Sequence, residues 1–474
     1  MPTLALFVCL MFTAWLLVRD VRRRPKLSAA LWIPVILLLI LGSRPVSLWA
    51  TGGGVILNTG RVTTVMGNDA GASPLDQIFF LFVLSGSFLV ARARRVKWSR
   101  LFAANTAILL FYAYFAISIL WSGDPMGSFK RLVKDFGLLF VISVVLSEAE
   151  PLQAMRGVYV RCASVLLPLS LVLVKYFPNY SRIYDVNGSI QITGVTTQKN
   201  SLGELVLISI LILLWDVLES GEQGPQFRWT RLPWDRMVLL AMGALLLEWS
   251  QSKTALICFV LGAALIVSKG WAASKTMGHA ILAAALCLPF LLFFSRQFAS
   301  EIAPLVEALG RNMTFTGRAN IWDHITLKTV DPLFGAGYWN FWGGPGGYAI
   351  SEAMKTDVPN AHDGYLDIYI DGGFAGLTLL FLMLAACGRR IINRLAVRSG
   401  VVDRYARVRF AVLIVAICYN LSESTFARMG LMWFTTLMMI VEFPKNALPP
   451  RVTATLRSAE ARMRGQEARV FANR

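Results

Sequence analysis

The sequence predicts an all-α polytopic membrane protein with about 12–13 transmembrane helices, and both its composition and its apolar runs support this. Of its 474 residues, 56% are hydrophobic and only 16% are charged. A soluble chain carries about a quarter charged residues and could not cover so much apolar surface. Apolar runs of about 15–20 residues recur along the whole chain, and each is long enough to cross the hydrocarbon core.

The apolar runs set the boundaries of the expected spans. The predicted spans are residues 3–18, 28–42, 75–91, 101–121, 132–147, 158–175, 201–218, 237–249, 254–268, 278–295, 365–387, 409–420 and 429–443. The first run is followed at once by Arg19-Asp20-Val21-Arg22-Arg23-Arg24, which reverses the charge order of a cleavable signal peptide. We therefore expect a retained first span with its N-terminus outside.

Basic residues alternate between successive loops, and this pattern predicts the orientation. The formal net charge is +18. Basic residues collect in every second loop, beginning with the first, and in the tail; examples are Arg22, Arg95, Arg156, Arg231, Lys269, Arg394 and Arg457. Because cytoplasmic loops are the basic ones, these loops are expected inside the cell. The positive charge therefore indicates topology, and no nucleic-acid partner is expected.

This topology divides the chain into four parts. Residues 1–295 are predicted to hold spans 1–10, residues 296–364 a large periplasmic loop, residues 365–443 spans 11–13, and residues 444–474 a basic cytoplasmic tail. Within the large loop, Thr316 is expected to cap a helix over 317–330, followed by a glycine-rich turn over 335–347. Asn360 is expected to cap a second helix that begins at Ala361.

Five polar clusters are predicted to lie on the outer side. They are Gln198-Lys199-Asn200, Gln251-Ser252-Lys253, Thr316-Gly317-Arg318, Asn360-Ala361-His362-Asp363 and Asn420-Leu421-Ser422-Glu423-Ser424. Each alone could be a topology anchor, because ionisable side chains at the end of a span can reach water. Their shared side of the membrane favours a functional site instead.

His362 and Arg318 have the chemistry of an active site. A histidine in the first turn of a helix tends to stay neutral and can accept a proton. Arg318, in the first turn of its predicted helix, offers a forked donor to phosphate. The alternatives are a structural histidine and a surface arginine.

Other candidate ligands are less favoured. His362 would share a helical face with Tyr365 and Tyr369, a pattern that is more often packing than ligand contact. Metal binding by the neighbouring Asp363, Asp367 and Asp371 is a minor alternative. The cysteines have no metal spacing and are interpreted as packing residues; they are Cys9, Cys162, Cys258, Cys287, Cys387 and Cys418.

Six segments together resemble the O-antigen ligase and exopolysaccharide repeat-unit polymerase family of bacterial membrane glycosyltransferases. They are Thr197–Gly203, Gln251–Thr254, Phe315–Trp322, Pro332–Gly337, Asn360–Leu366 and Asn420–Glu423. The resemblance is most specific over about residues 190–430. The chain departs from the family at two positions: Asp363 follows the histidine where Asn is common, and Lys253 stands where Arg is common. The second change replaces a forked donor by a point charge.

The resemblance implies transfer of a glycan from undecaprenyl diphosphate to an acceptor hydroxyl, at the periplasmic face of the inner membrane. In that reaction His362 would be the base, with Glu423 as its orienter or as an alternative base. The diphosphate and substrate ligands would be Arg318, Lys199, Lys253, Arg311 and Asn360. With these cations in place, no cofactor and no obligatory divalent metal is expected, and direct attack would invert the anomeric centre.

Two acceptors are compatible with the resemblance. The motif combination slightly favours a polymerase, whose acceptor is another lipid-linked glycan, over a ligase, whose acceptor is lipid A–core sugar. A flippase and a chain-length regulator are potential partners. A transporter is the alternative from another class, and it would show ionisable residues buried in mid-span and paired helix breaks.

Overall fold

A computed structural model describes residues 1–51, 73–184, 188–221, 233–268, 274–295, 321–322, 324–325, 330–355, 358–395, 400–444 and 447. The first half of the chain forms α1 (Pro2–Arg23), α2 (Trp32–Leu41), α3 (Val46–Ala50), α4 (Pro74–Ala93), α5 (Trp98–Ala104), α6 (Thr106–Ser118), α7 (Pro125–Leu146), α8 (Pro151–Tyr176) and α9 (Pro178–Ser181). Short 3₁₀ turns cover Ala29–Leu31 and Ile119–Trp121.

An antiparallel hairpin, β1 (Arg182–Tyr184) and β2 (Ile190–Ile192), follows α9. The remaining helices are α10 (Lys199–Gly221), α11 (Trp234–Trp249), α12 (Lys253–Val267), α13 (Lys275–Ser295), α14 (Pro345–Met354), α15 (Gly364–Leu395), α16 (Gly400–Tyr419) and α17 (Leu431–Ile440). The all-α prediction is confirmed.

The helices suit a multi-pass membrane protein. Within the described residues, five helices are long and apolar enough to span a membrane (α1, α4, α8, α10 and α15), and α5 with α6 forms a bent pair that could be a sixth. Further apolar helices of 10–17 residues include α12 and α17. Every predicted span coincides with a helix or a bent helix pair, while the total of 12–13 spans stays a prediction.

The fourth predicted span is bent rather than straight. α5 and α6 meet at Asn105 with an angle of 96°. The Asn105 side chain donates to the carbonyls of Leu101 and Glu442, at 2.8 and 2.7 Å, and accepts from the Glu442 amide at 2.9 Å. The amide side chain thus satisfies backbone groups at the bend, as a buried break requires.

Loop contacts gather at two ends of the bundle that match the predicted alternation. At the end predicted to be outside (the outer end), Arg44 donates to the Thr196 carbonyl. At the opposite, inner end, Ser28 donates to Glu148, and six arginines surround three buried aspartates. This inner-end ion network consists of Arg19, Asp20, Arg23, Arg24, Arg156, Arg161, Asp216, Asp235 and Arg236. It joins α1, α8, α10 and α11.

In the large loop, the described part of the range 317–330 contributes to a small apolar core. Ile321, Trp322 and Ile325 are buried together, and Trp322 Nε1 donates to the Ala361 carbonyl at 2.7 Å. Most of the predicted helix lies outside the described residues. The glycine-rich turn predicted over 335–347 is shorter than expected, because Pro345 already opens α14.

The chain just before α14 enters a break in α15. Gly373 has φ 59° and ψ −161°, which interrupts the helix. Residues 331–340 run beside this break and replace the missing helical hydrogen bonds. Backbone amides of Phe374, Ala336 and Gly337 donate to the carbonyls of Pro332, Ile370 and Asp371, at 2.8, 2.8 and 3.0 Å.

Glycine is required where the two segments cross. A Cβ on Gly335 would lie 2.5 Å from the Gly372 amide nitrogen, and one on Gly373 would lie 2.3 Å from the Leu333 carbonyl. Such distances are shorter than any tolerated contact, and backbone atoms cannot move aside as a flexible side chain can. The crossing therefore depends on glycine in both segments, and it fixes the position of the residues that follow Gly337.

We expect Gly373→Ala to lower the stability of the purified protein by about 3 kcal/mol or more, because it combines a disallowed backbone conformation with a backbone clash. Gly188→Ala is the matched control, since Gly188 also has positive φ but nothing lies within 4 Å of the added Cβ. That variant should lose only about 1 kcal/mol. Thermal unfolding in detergent measures both, and equal losses would contradict the tight crossing.

Candidate functional site

The loop between α16 and α17 is the centre of the candidate site. Asn420 is fully buried, and its Oδ1 accepts from the amides of Thr425 and Phe426 at 2.8 and 3.0 Å. Its backbone carbonyl accepts from the Gly364 amide at 2.9 Å. One asparagine therefore shapes this loop and attaches it to the start of α15.

Four of the five predicted polar clusters meet at this loop, with the Gln251–Lys253 cluster reaching it through the next residue, Thr254. Asn200 Nδ2 donates to Glu423 Oε1 at 2.8 Å, and the Thr254 and Ser422 hydroxyls are hydrogen-bonded to each other at 2.7 Å. His362 Nδ1 lies 3.7 Å from Glu423 Oε2. The fifth cluster, Thr316–Arg318, lies outside the described residues, as does Arg311.

His362 is not in a helix, so its predicted place in a first helical turn is wrong. It has φ 50°, in the left-handed region, and α15 begins only at Gly364. Asn360 Oδ1 accepts from the His362 amide at 2.9 Å, whereas Asp363 Oδ1 accepts from the amides of Tyr365 and Leu366 at 2.9 and 3.1 Å. Asp363 is thus the helix cap. Asn360 closes a turn before it, so His362 does not share the predicted face with Tyr365.

His362 and Glu423 form a pair suited to proton transfer. Their side chains are 25% and 11% exposed, so both are partly shielded from water. His362 Nδ1 is buried and has no hydrogen-bond partner among the described residues. Hydrogen bonds between catalytic groups are often long in the free enzyme and shorten when substrate binds. A small rotation of the His362 ring would let its Nδ1–H donate to Glu423. The Nε2 atom would then be the nitrogen that accepts a proton.

Two of the predicted cations lie at helix starts beside this pair. Lys199 begins α10 directly before Asn200, and Lys253 begins α12 directly before Thr254. Asn200 and Thr254 each form a hydrogen bond with the loop that carries Glu423. Lys253 is exposed and Lys199 is half-buried. Helix N-termini favour anions, so each ammonium adds to an already favourable site.

A cavity of about 260 Å³ lies against the same loop. Of the predicted site residues that the structure describes, only Asn360 lines it. Among the described residues, the cavity is lined by three basic side chains, Arg131, Lys134 and Arg428, and by three acidic side chains, Asp76, Asp135 and Glu204. Ser424 and Thr425, which follow Glu423, also line the cavity and connect it to the His362–Glu423 pair.

Arg428 is the most enclosed cation of the cavity, and the sequence analysis missed it. Its guanidinium lies 3.8 Å from the Trp339 ring centroid, 3.2 Å from Asp371 and 3.5 Å from Asp367. Burial alone would lower the pKa of Arg428, but the charges of Asp371 and Asp367 outweigh it and raise the pKa above its usual range. Arg428 therefore stays charged.

Asp367 connects the segments around Arg428. Its Oδ1 accepts from Trp342 Nε1 at 2.8 Å and from the Ala361 amide at 3.1 Å, and its Oδ2 accepts from the Ser424 hydroxyl. Asp363, Asp367 and Asp371 thus have structural partners. Within the described residues, no group of three or more His, Cys, Asp or Glu side chains is placed to hold a metal ion.

The segment that enters the α15 break supplies the opposite wall. Trp339 Nε1 donates to the Ala427 carbonyl at 3.0 Å. The single proton of the Tyr338 hydroxyl is shared between that carbonyl, at 2.9 Å, and Asp135. Burial raises the pKa of Tyr338 well above its usual range, and the nearby Asp135 raises it further. The hydroxyl therefore remains a donor.

One sequence signal could have identified Arg428. It is a basic residue on a loop predicted to lie outside, where the positive-inside pattern expects few. Arg131 and Lys134 carry a similar signal, because they stand three residues apart at the outer end of α7 and so share a face. Their common cavity could not be inferred from sequence.

We expect Arg428→Ala to cost about 3–5 kcal/mol, because it leaves Asp367 and Asp371 buried without their cation. Adding Asp371→Asn to Arg428→Ala should recover part of that loss. Arg131→Ala, at a side chain that is 21% exposed, is the control and should cost far less. Unfolding in detergent measures all three variants. A wild-type midpoint for Arg428→Ala would show that the ion pairs do not hold the loop.

Comparison with known proteins adds the family. The O-antigen ligase family profile matches residues 237–382, a range that includes Lys253, Asn360 and His362. No curated protein matches the chain. The match confirms the resemblance inferred from the motifs and implies a glycosyltransferase-like enzyme with glycan and lipid-linked substrates. This multi-pass membrane protein is therefore similar to the O-antigen ligase family over residues 237–382.

Proposed function

We propose that the protein transfers a glycan from undecaprenyl diphosphate to an acceptor sugar hydroxyl, at the periplasmic face of the bacterial inner membrane. The observation that carries this proposal is the His362–Glu423 pair. It is joined to Asn200 and, through Ser422, to Thr254. These residues come from segments that are far apart in sequence, and two of them, Thr254 and His362, lie in the matched family region.

The pair suits an in-line displacement. The acceptor hydroxyl gives its proton to His362 Nε2, and its oxygen forms a bond to the anomeric carbon of the donor sugar. The bond from that carbon to the diphosphate oxygen breaks, and its electron pair leaves with the diphosphate. Glu423 orients the imidazole and stabilises the imidazolium that forms. Attack opposite the leaving group inverts the anomeric configuration.

Cations stabilise the departing diphosphate. Lys199 and Lys253 flank the pair, and Arg318 and Arg311 on the large loop complete the proposed set. Charge that develops on the leaving oxygens is best met by preorganised donors in a shielded site. These side chains can supply that charge without a divalent metal or another cofactor.

We propose a lipid-linked repeat-unit glycan as the acceptor, so that transfer lengthens an exopolysaccharide or O-antigen chain. A flippase and a chain-length regulator would then be its partners. Lipid A–core is the second candidate, favoured by the family description, O-antigen ligase. Offering both acceptors to the purified protein with one labelled donor separates the two, and a vesicle transport assay tests the transporter alternative.

His362→Ala should lower the turnover number by about 10²–10⁴-fold while carrier-lipid binding stays near wild type, because a general base acts in the chemical step. Lys199→Ala should instead weaken carrier-lipid binding as well, because a diphosphate ligand acts in both ground and transition states. Transfer kinetics and lipid binding in detergent measure these effects. A folded His362→Ala variant with wild-type turnover would leave Glu423 as the leading candidate base.

A cysteine at position 348 should react with a membrane-impermeant reagent in intact cells that lack the native cysteines, whereas one at position 26 should not. Tyr348 is 69% exposed on the predicted periplasmic loop. Lys26 is exposed in the first basic loop, with 72% of its side chain accessible. Both should react after the cells are broken. Labelling in the opposite sense would put the site on the cytoplasmic side.

A further inference from the structure

We propose that the cavity beside the loop between α16 and α17 is a saccharide subsite, which takes an uncharged sugar of the substrate glycan rather than its diphosphate. This inference rests on the proposed function, since it assigns a part of the same substrate to a second compartment. The diphosphate belongs on the side of Lys199 and Lys253, and the sugar belongs in the cavity.

Charge balance is the first argument. The three basic side chains of the cavity are matched by three acidic ones, Asp76, Asp135 and Glu204. Arg428 is further compensated from behind by Asp367 and Asp371. A diphosphate would meet these carboxylates at close range, in a shielded environment where repulsion is strong. The cavity therefore disfavours a multiply charged anion.

Unsatisfied polar atoms are the second argument. Asp135 and Arg428 line the cavity and are 2% and 8% exposed. Within the described part of the chain, Asp135 Oδ1 and Arg428 Nη1 have no hydrogen-bond partner, whereas Arg428 Nη2 is ion-paired with Asp371 and Asp367. Residues of this wall thus carry one acceptor atom and one donor atom that the described protein leaves unpaired. A sugar hydroxyl both donates and accepts, whereas a phosphate oxygen only accepts, so hydroxyls alone can satisfy both kinds of atom.

The rest of the wall is consistent with a polyol. Asn360 offers both an acceptor and a donor, and Ser43, Thr196 and Ser201 line the same space. The acidic residues are held in place: Asp76 accepts from the Ser47 amide at 3.1 Å and Glu204 from the Met432 amide at 2.7 Å. Fixed polar groups of both kinds are what a site needs to select among hydroxyl arrangements.

Cysteine protection tests the assignment in the full chain. In a background without native cysteines, Ser201→Cys places a nearly isosteric thiol in the cavity wall, and an uncharged maleimide reports its accessibility. The probes are inorganic pyrophosphate and the neutral oligosaccharide that mild acid releases from the cell's own carrier lipid. A cysteine at the exposed position 348 is the matched control.

At about ten times its Kd, the oligosaccharide should slow labelling of Ser201→Cys about tenfold, because only the free fraction reacts. Pyrophosphate should not slow it, and neither probe should affect the control at position 348. Adding Asp135→Leu should abolish protection by the oligosaccharide, because the unpaired acceptor is lost. Protection by pyrophosphate, or by neither probe up to millimolar concentration, would overturn the saccharide assignment.

The outcomes for the subsite and for the proposed function are distinguishable. Oligosaccharide protection of Ser201→Cys, combined with no glycan transfer by the wild-type protein, would retain the subsite and reject the reaction. Glycan transfer together with pyrophosphate protection of Ser201→Cys would retain the reaction and reject the subsite. Transfer measured on the same preparations therefore decides each claim separately.

Discussion

The pairing of Arg428 with Asp367 and Asp371 is the constraint around which the outer end is organised. Asp367 also receives hydrogen bonds from Trp342, Ala361 and Ser424, so the two carboxylates of α15 connect the large loop to the loop after α16. Removing charges from water is costly, and only this complete set of partners offsets that cost. The walls of the cavity and the position of His362 both follow from it.

The glycine crossing makes that pairing geometrically accessible. Because Gly335 and Gly373 let two backbones touch, Trp339 is brought against Arg428. The break in α15 costs helical hydrogen bonds, and residues 332–337 replace them. A membrane helix can be interrupted only where protein supplies such partners. Local backbone chemistry thus sets the electrostatics of a site formed by distant segments.

The sequence was sufficient for the helices and for the convergence of four polar clusters, because apolar runs and loop charges depend on local composition. It was not sufficient for the backbone conformation of His362. Asn360 and Asp363 are both good helix caps, and packing of Gly364 against Asn420 decides which of them starts α15. The cavity escaped prediction because Arg131 and Arg428 meet through contacts between segments far apart in the chain. Arg311 and Arg318 stay predictions, outside the described residues.

The inner-end ion network has a consequence for biogenesis. The arginines whose charge is expected to keep the loops in the cytoplasm, such as Arg156 and Arg161, are the same ones that bind Asp216 and Asp20 in the finished fold. Insertion machinery would meet them as free charges, whereas the folded protein holds them buried and paired. Topogenesis and tertiary packing therefore draw on one set of side chains, and neither can be redesigned without disturbing the other.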